Sequence, residues 1–366
     1  MNQQIQNFLI NQWYKKNLFS WMLWPFSILY TFLRQRDRRR GLALSRTRLL
    51  EWKQLCQNKR LAADNVMHQT PTIEIPIIVI GNLIVGGSGK TPTLLSLYFA
   101  LEKRGFKVGI ISRGYGSECS EPTLVEKTHT AQQVGDEPLL LFLKTSAPIV
   151  VSPDRWQAAL FLIQKVSLID IILSDDGLQH EALPRHYEII VMDGRRGIGN
   201  GKLLPAGPLR DSWARANLVD MVLWREQRID SLSKSLSKRI IQASVVMHVS
   251  IPQPIHNRPF YYDGFWQKNG WPSKVHAVCG IAYPQGFFNA LKSHGVYVIE
   301  HAFPDHWQFS KTDFEFDDVT IPICMTEKDA TKCAEIAKSH WFVVPLRAEI
   351  EEYAVDAMMS KIAPMH

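Results

Sequence analysis

The chain has 366 residues, of which 46% are hydrophobic and 21% charged, a balance that is typical of a globular protein and excludes a largely disordered one. The formal net charge of +7 indicates an anionic partner: a phosphate-rich substrate, an acidic membrane surface or nucleic acid. Five scattered cysteines without metal-ligand spacing exclude a disulfide framework and a zinc site, and favour a reducing, cytosolic environment.

The first notable segment is an apolar stretch rich in Trp, Phe and Tyr, Asn17–Leu33. It lies between two lysines and an arginine-rich run at residues 34–40, a pattern that favours contact with an anionic membrane surface. It is slightly shorter than the roughly 20 residues that span a bilayer, and Pro25 interrupts it. We interpret residues 1–40 as a membrane-anchor helix with a basic flank; a buried helix of a soluble domain is the alternative.

Short apolar runs then alternate with helical patterns, which predicts an α/β fold with a parallel sheet covered on both faces. The predicted strands of this region are Ile73–Ile80, Lys107–Ser112, Pro148–Val151, Leu168–Ser174, Glu188–Met192 and Leu218–Trp224. A charged stretch follows, and a second alternating region begins near residue 275. We therefore predict a larger α/β domain at residues 41–225 and a smaller α/β domain at residues 226–366 that closes over the site formed by the first.

A glycine-rich loop separates the first predicted strand from the following helix. Its residues are Gly86, Gly87, Ser88, Gly89, Lys90 and Thr91. Glycines let successive backbone N–H groups point at one anion, and the helix N-terminus adds its dipole. The lysine can bridge the β- and γ-phosphates of ATP, and the threonine hydroxyl can bind Mg²⁺. The loop departs from G-x-x-x-x-G-K-[ST], because Ile84 replaces its first glycine, and is similar to the variant G-G-x-G-K-T.

Two acidic residues end a later predicted strand. The segment Asp170–Asp176 ends in Asp175 and Asp176, as expected where a carboxylate reaches Mg²⁺ directly or through water. Adjacent residues on a strand point in opposite directions, so the two should have different roles unless the strand ends at Asp175; which one binds the metal is left open. An ordinary strand-end turn is the alternative, since Asp-Gly is a common turn pair.

Several motifs in the same order resemble one family, the tetraacyldisaccharide 4′-kinases of Gram-negative bacteria. The shared stretches are Gly81–Pro92, Ser112–Gly116, Gly135–Pro138, Ser152–Arg155, Asp175–His180, Gly199–Asp211, Asp305-His306 and Thr326–Lys332. The resemblance implies transfer of the ATP γ-phosphate to the 4′-hydroxyl of a tetraacylated glucosamine disaccharide 1-phosphate, which gives lipid IVA. It also implies a location at the cytoplasmic face of the inner membrane, with no nucleic acid and no obligate protein partner.

The resemblance also assigns site residues. Asp136 and His306 would act as a pair near the acceptor hydroxyl, together with Lys90 on the phosphate; a base within reach helps a sugar hydroxyl to attack. Residues implied in contacts with ATP or the disaccharide, besides the loop, are Tyr115, Arg155, Asn200 and Arg210. The implied Mg²⁺ groups are Thr91, Asp175, Asp176 and Glu137.

Other functions fit parts of the sequence. A ParA/MinD-like membrane-associated ATPase has a similar loop, but Val85 stands where that class has a lysine, and it has no evident use for a second α/β domain. A kinase with a soluble substrate does not explain the aromatic N-terminal segment. A nucleic-acid-binding protein is suggested by charge alone, and the basic residues lie beside an apolar segment rather than on an aromatic-interleaved groove.

Overall fold

The computed structural model describes residues 12–14, 18–63, 74–255, 270–316 and 320–362. Of the predicted anchor with its basic flank, residues 1–40, residues 1–11 and 15–17 lie outside the described residues, and so does Ile73 at the start of the first predicted strand. The described part of the chain forms two β-sheets flanked by helices, preceded by a short and a long N-terminal helix.

The N-terminal helices are α1, Leu18–Met22, and α2, Trp24–Ala63, which is 40 residues long. Pro25 lies in the first turn of α2, where a missing N–H costs nothing, so it starts this helix rather than breaking it. Leu, Arg, Lys and Ala, all good helix formers, supply most of the remaining residues. None of the helices in the described ranges is both long and apolar enough to cross a membrane.

The two N-terminal helices turn hydroxyl groups toward the protein and aromatic rings outward. Ser20 and Ser27 are buried and donate hydrogen bonds to the carbonyl oxygens of Ala206 and Leu203, at 2.6 and 2.9 Å. The exposed large apolar side chains on α1 and the start of α2 are Trp21, Met22, Trp24, Phe26, Ile28, Leu29, Phe32 and Leu33. The helices are thus docked by polar contacts and leave an apolar surface, which we call the N-terminal apolar face.

The larger sheet has nine strands and contains the predicted parallel core. In chain order its first seven strands are β1 (Ile77–Gly81), β2 (Val108–Ser112), β3 (Thr123–Leu124), β4 (Ile149–Val151), β5 (Ile171–Asp175), β6 (Tyr187–Asp193) and β7 (Met221–Arg225). Two later strands, β8 (Ile241–Val249) and β14 (Leu346–Ile350), complete it. Its spatial order is β14-β8-β7-β6-β1-β5-β2-β4-β3, with antiparallel pairing at both edges only.

Helices cover both faces of this sheet, which explains why its central strands are apolar on both sides. They are α3 (Lys90–Lys103), α4 (Ala131–Val134), α5 (Asp136–Lys144), α6 (Arg155–Lys165), α7 (Asp230–Lys234) and, near the C-terminus, α10 (Glu352–Ile362). All residues of β1, β2, β5 and β6 are buried. Trp52 of α2 is also fully buried and packs in the cluster on one face.

The second sheet has five strands in the order β11-β10-β12-β13-β9. They are β9 (Gln253–Pro254), β10 (Lys274–Cys279), β11 (Tyr297–Ala302), β12 (Ile323–Thr326) and β13 (Trp341–Val344), with helices α8 (Pro284–Ser293) and α9 (Glu327–Cys333) between them. Strands β8 and β14 belong to the larger sheet and α10 packs on it, although all three lie beyond residue 226. The domain boundary near residue 226 stays a prediction.

Candidate active site

A cleft of about 1250 Å³ lies between the two sheets and is lined by residues from both. The loop after β1, the end of β5 and the segments after β10 and β12 all reach it. In open α/β sheets the carboxyl ends of parallel strands form the ligand-binding edge, so this is the expected location.

The glycine-rich loop has the backbone conformation that its sequence predicts. Gly86 has φ 94° and Gly89, the N-cap of α3, has φ 82°, both in the left-handed region that favours glycine. A Cβ at Gly89 would lie 2.6 Å from the methyl carbon of Met247. The side-chain amide of Asn82 donates to the carbonyl of Gly86 at 3.3 Å and to the hydroxyl of Ser88 at 3.0 Å, which fixes the loop from within.

Arg196 supports the same loop from outside and was not predicted from the sequence. Its guanidinium donates to the carbonyl oxygens of Val85 and Gly87, at 3.1 and 3.0 Å. It also lies over the rings of Tyr14 and Tyr283, 5.7 and 5.5 Å from their centroids. Arg196 therefore connects the loop to the N-terminal segment and to the part of the protein that is built on the second sheet. We call that part the smaller lobe, and the larger sheet with its helices the larger lobe.

Asp176 carries the charged contacts of the site. Its carboxylate lies 3.5 Å from Nζ of Lys90 and 2.9 Å from Nη1 of Arg210. Burial would raise the pKa of Asp176, but the positive charges of Lys90 and Arg210 outweigh it and hold this pKa well below its ordinary value. A triphosphate on the loop would offer the same two cations a stronger anionic partner.

Asp175 is buried at the end of β5 and has an unused oxygen. The hydroxyl of Ser112 donates to its Oδ2 at 3.3 Å, whereas its Oδ1 is buried without a hydrogen-bond partner among the described residues. Burial, together with the negative charges of Glu137 and Asp176, raises the pKa of Asp175 to about 7. A buried oxygen without a partner, on a carboxyl that is hard to ionise, fits a place for a cation.

Arg155 shapes this strand end through its backbone. It is buried and donates to the carbonyl oxygens of Asp175, at 3.0 and 3.2 Å, and of Asp176, at 2.8 Å. Asp176 has φ 45°, an unusual backbone conformation that these hydrogen bonds help to hold. Because β5 ends at Asp175, strand alternation does not apply to Asp176, but the two carboxylates still face different partners. Their different roles stay a prediction.

The structure brings Asp136 and His306 together, 170 residues apart in the chain. Nδ1 of the imidazole lies 3.1 and 3.0 Å from the two carboxylate oxygens. Asp136 begins α5, while His306 follows β11, has φ 62° and donates its backbone N–H to the carbonyl of Gly280 at 3.2 Å. Burial would raise the pKa of Asp136, but the hydrogen bond to His306 and the charge of Lys328 lower it to about 2.

Lys328 lies beside this pair and was not predicted from the sequence as a site residue. Its Nζ lies 3.3 Å from Glu137, 3.4 Å from Asp305 and 3.4 Å from Nε2 of His306. Burial would lower the pKa of Lys328, but these carboxylates outweigh it and raise the pKa. The signal was present in the shared stretch Thr326–Lys332, but nothing in the sequence showed what this lysine faces.

The remaining predicted residues divide into two groups. Thr91, Tyr115 and Glu137 line the cleft, and the ring of Tyr115 lies 5.0 Å from that of His306. Asn200 was expected at ATP or the disaccharide, but it is not among the residues that line the cleft. Its amide instead donates to the hydroxyl of Ser20 and the carbonyl of Ala206, at 2.7 and 2.8 Å, so it helps to dock α1.

A phosphate-binding loop after the first strand of a parallel sheet, with an aspartate at the end of the adjacent strand, is the arrangement of the P-loop class of nucleoside-triphosphate-binding proteins. A family profile described as tetraacyldisaccharide-1-P 4′-kinase matches residues 19–363. The chain belongs to this family. The kinase predicted from the sequence is thereby confirmed, and the ParA/MinD-like alternative is not favoured.

Individual relatives agree over nearly the whole chain. The chain is 37% identical to the tetraacyldisaccharide 4′-kinase of Pasteurella multocida, covering 95% of this chain and 97% of the relative. It is 36% identical to that of Methylobacillus flagellatus, covering 99% and 98%. Among solved structures, LpxK from Aquifex aeolicus in complex with ATP has a TM-score of 0.67 at 22% identity, covering 94% of this chain and 99% of that one, and so shares the fold.

Proposed function

We propose that this protein transfers the γ-phosphoryl group of ATP to the 4′-hydroxyl of a tetraacylated glucosamine disaccharide 1-phosphate, and thereby forms lipid IVA. The observation that carries the proposal is one cleft lined by both a phosphate-binding loop and His306, whose imidazole is hydrogen-bonded to Asp136. A loop of this kind holds the donor, and a hydrogen-bonded acid–base pair suits a hydroxyl acceptor.

The donor is ATP, held at Gly86–Thr91. The loop N–H groups and the N-terminus of α3 face the phosphates, and Lys90 leaves Asp176 to reach the transferring group. Arg210, now paired with the same carboxylate, neutralises further charge on the phosphate or the acceptor. Arg155 acts through the backbone of Asp175 and Asp176.

Mg²⁺ is the cofactor that this donor set fits. Within the described ranges no group of three or more His, Cys, Asp or Glu side chains is arranged to hold a metal ion by itself. Mg²⁺ commonly takes one or two protein oxygens and completes its shell with phosphates and water, so Thr91 and the unpartnered oxygen of Asp175 suffice. Asp176 and Glu137 lie at the edge of this site. When bound, the ion neutralises charge on the phosphates.

At the acceptor end the 4′-hydroxyl loses its proton to the Asp136–His306 pair as it attacks in line. The carboxylate of Asp136 is the member of the pair that takes this proton, because Nε2 of His306 faces the ammonium of Lys328. Tyr115, whose ring lies near His306, borders the space for the sugar. We further propose that the smaller α/β domain closes over the bound substrates, because His306 reaches Asp136 from that side of the cleft.

The N-terminal apolar face holds the enzyme at the cytoplasmic face of the inner membrane, where the acylated substrate resides. Aromatic side chains that are exposed on a helix with a basic flank are typical of an interfacial anchor. Tyr30 of α2 donates a hydrogen bond to the carbonyl of Arg210 at 3.0 Å, so the anchor and the cleft are in direct contact.

One assay tests the function. Radiolabelled ATP, detergent micelles and the disaccharide 1-phosphate are incubated with the protein, and the lipids are separated. A labelled lipid whose phosphate is at the 4′ position is the expected product. ATP hydrolysis that does not depend on the acceptor, with no labelled lipid, would contradict the proposal.

A further inference from the structure

The ammonium of Lys328 makes three polar contacts at the point where the two lobes meet. Its three N–H groups have three acceptors within 3.3–3.4 Å: Glu137, Asp305 and Nε2 of His306. The side chain is 15% exposed, so water does not readily replace these partners. An ammonium has three donors and no acceptor, and its capacity is therefore fully used.

These contacts specify the protonation pattern of the imidazole. Nδ1 of His306 faces both oxygens of Asp136, which can only accept, so Nδ1 carries the ring proton. Nε2 lies 3.4 Å from the ammonium of Lys328 and 3.8 Å from Oδ1 of Asp305. The ammonium is the nearer group and can only donate, so we infer that Nε2 presents its lone pair to it. The two neighbours also prevent the ring from turning over, because a flipped ring would lose both hydrogen bonds.

We propose that Lys328 is a positioning residue for the transfer reaction, which clamps Nε2 of His306 and so fixes the imidazole against Asp136. This inference rests on the proposed function of the Asp136–His306 pair. The lysine holds Glu137, Asp305 and the imidazole around a single charge, and the carboxylate of Asp136 lies 3.6 Å from the same Nζ. A displacement of about 1 Å at such a centre can cost a hundredfold in rate.

The chain offers a matched control for the clamp. Lys144 of α5 pairs with Glu327 of α9 and therefore joins the same two helices as Lys328 does. It lies apart from His306 and forms no part of the proposed machinery. Lys328→Met and Lys144→Met each remove one lysine charge between the lobes, but only the first removes the partner of Nε2.

The first experiment measures the imidazole without requiring catalysis. In ¹⁵N NMR spectra of histidine-labelled protein, with His306 assigned by a His306→Asn variant, we expect a protonated Nδ1 and a hydrogen-bonded Nε2. Lys328→Met should move the Nε2 resonance toward that of a free lone pair, whereas Lys144→Met should leave it in place. An Nε2 signal that is the same in Lys328→Met and the wild type would overturn the proposal.

The second experiment measures turnover. We expect Lys328→Met to lower kcat between about tenfold and 100-fold with little change in KM for ATP, and Lys328→Arg to restore part of it. In a His306→Ala background Lys328→Met should cause no further loss, because the two residues act as a unit. Losses that multiply would instead show that Lys328 acts independently of His306. If the wild type does not phosphorylate the disaccharide, the proposed function fails while the NMR result still decides the clamp.

Discussion

At the residue scale, the aspartates of the site are paired with positively charged or hydrogen-bonding side chains. Lys90 and Arg210 share the carboxylate of Asp176, and His306 and Lys328 stabilise the charge of Asp136. A bound substrate can therefore take over one partner of each of these ion pairs. Phosphoryl transfer depends on such positioning and electrostatic stabilisation.

Lys90→Ala removes the cation that we expect to follow the transferring phosphate. Lipid phosphorylation should fall by at least about a hundredfold, since a single lost stabilising donor typically costs that much. Lys103→Ala, at the other end of α3, is the control and should retain activity. Circular dichroism checks that both variants fold; near-normal transfer by Lys90→Ala would remove the central assignment.

Asp136→Ala and His306→Ala should each lower kcat by about two to four orders of magnitude, as expected for loss of acid–base assistance. ATP binding, measured by calorimetry, should change little, because we expect the pair to contact the acceptor rather than the nucleotide. His248→Ala, which removes an exposed histidine on β8, serves as the control. A collapse of ATP affinity would mean that the pair contacts the nucleotide instead.

At the scale of elements, α2 has two different ends. Its start bears the N-terminal apolar face, whereas Trp52 near its end is fully buried. The indole of Trp52 donates to the carbonyl of Ile75 at 2.9 Å and packs 5.9 Å from the ring of Trp156. One continuous helix thus connects the hydrophobic core to the surface that we expect to meet lipid.

Trp52→Ala should lower the free energy of unfolding by about 3–5 kcal/mol, because it leaves a cavity and an unpaired carbonyl. Leu50→Ala is the matched control on the same helix: Leu50 is 66% exposed, and the change should stay within about 0.5 kcal/mol. Urea denaturation followed by fluorescence and circular dichroism measures both. Equal midpoints for Trp52→Ala and the wild type would show that α2 is not part of the core.

Over the whole molecule, the two lobes and the N-terminal helices meet around one cleft. Arg196 connects the phosphate-binding loop to Tyr14 and Tyr283, and Asn200 connects the following loop to Ser20. The surface that we propose to bind the membrane and the proposed donor site therefore belong to one connected framework.

Replacing Trp21, Trp24 and Phe32 with serine should reduce cosedimentation with anionic vesicles several-fold, since apolar area that enters the interface is lost. The docking hydroxyls remain, so the fold is kept. A control variant replaces three exposed apolar residues elsewhere, Leu143, Leu168 and Tyr297, and should bind as the wild type does. Vesicle binding that is unchanged by the first set would rule out the anchor.

The sequence by itself determined the phosphate-binding loop, the alternation of strands and helices, and the acidic end of β5. These depend on neighbouring residues, whose glycine conformations and apolar periodicity are properties of a short segment. The contributions of β8 and β14 to the larger sheet were not predicted, because strand partners far along the chain leave no local signal.

Only the tertiary structure decided which distant side chains meet. Asp136 and His306 come from different lobes, and the partners of Lys328 and Arg196 are set by docking rather than by spacing. Asn200 shows the reverse case: its place in a shared motif suggested a ligand contact, yet its amide is used within the protein. Side-chain contacts across lobes depend on how whole elements pack, and that is a property of the complete fold.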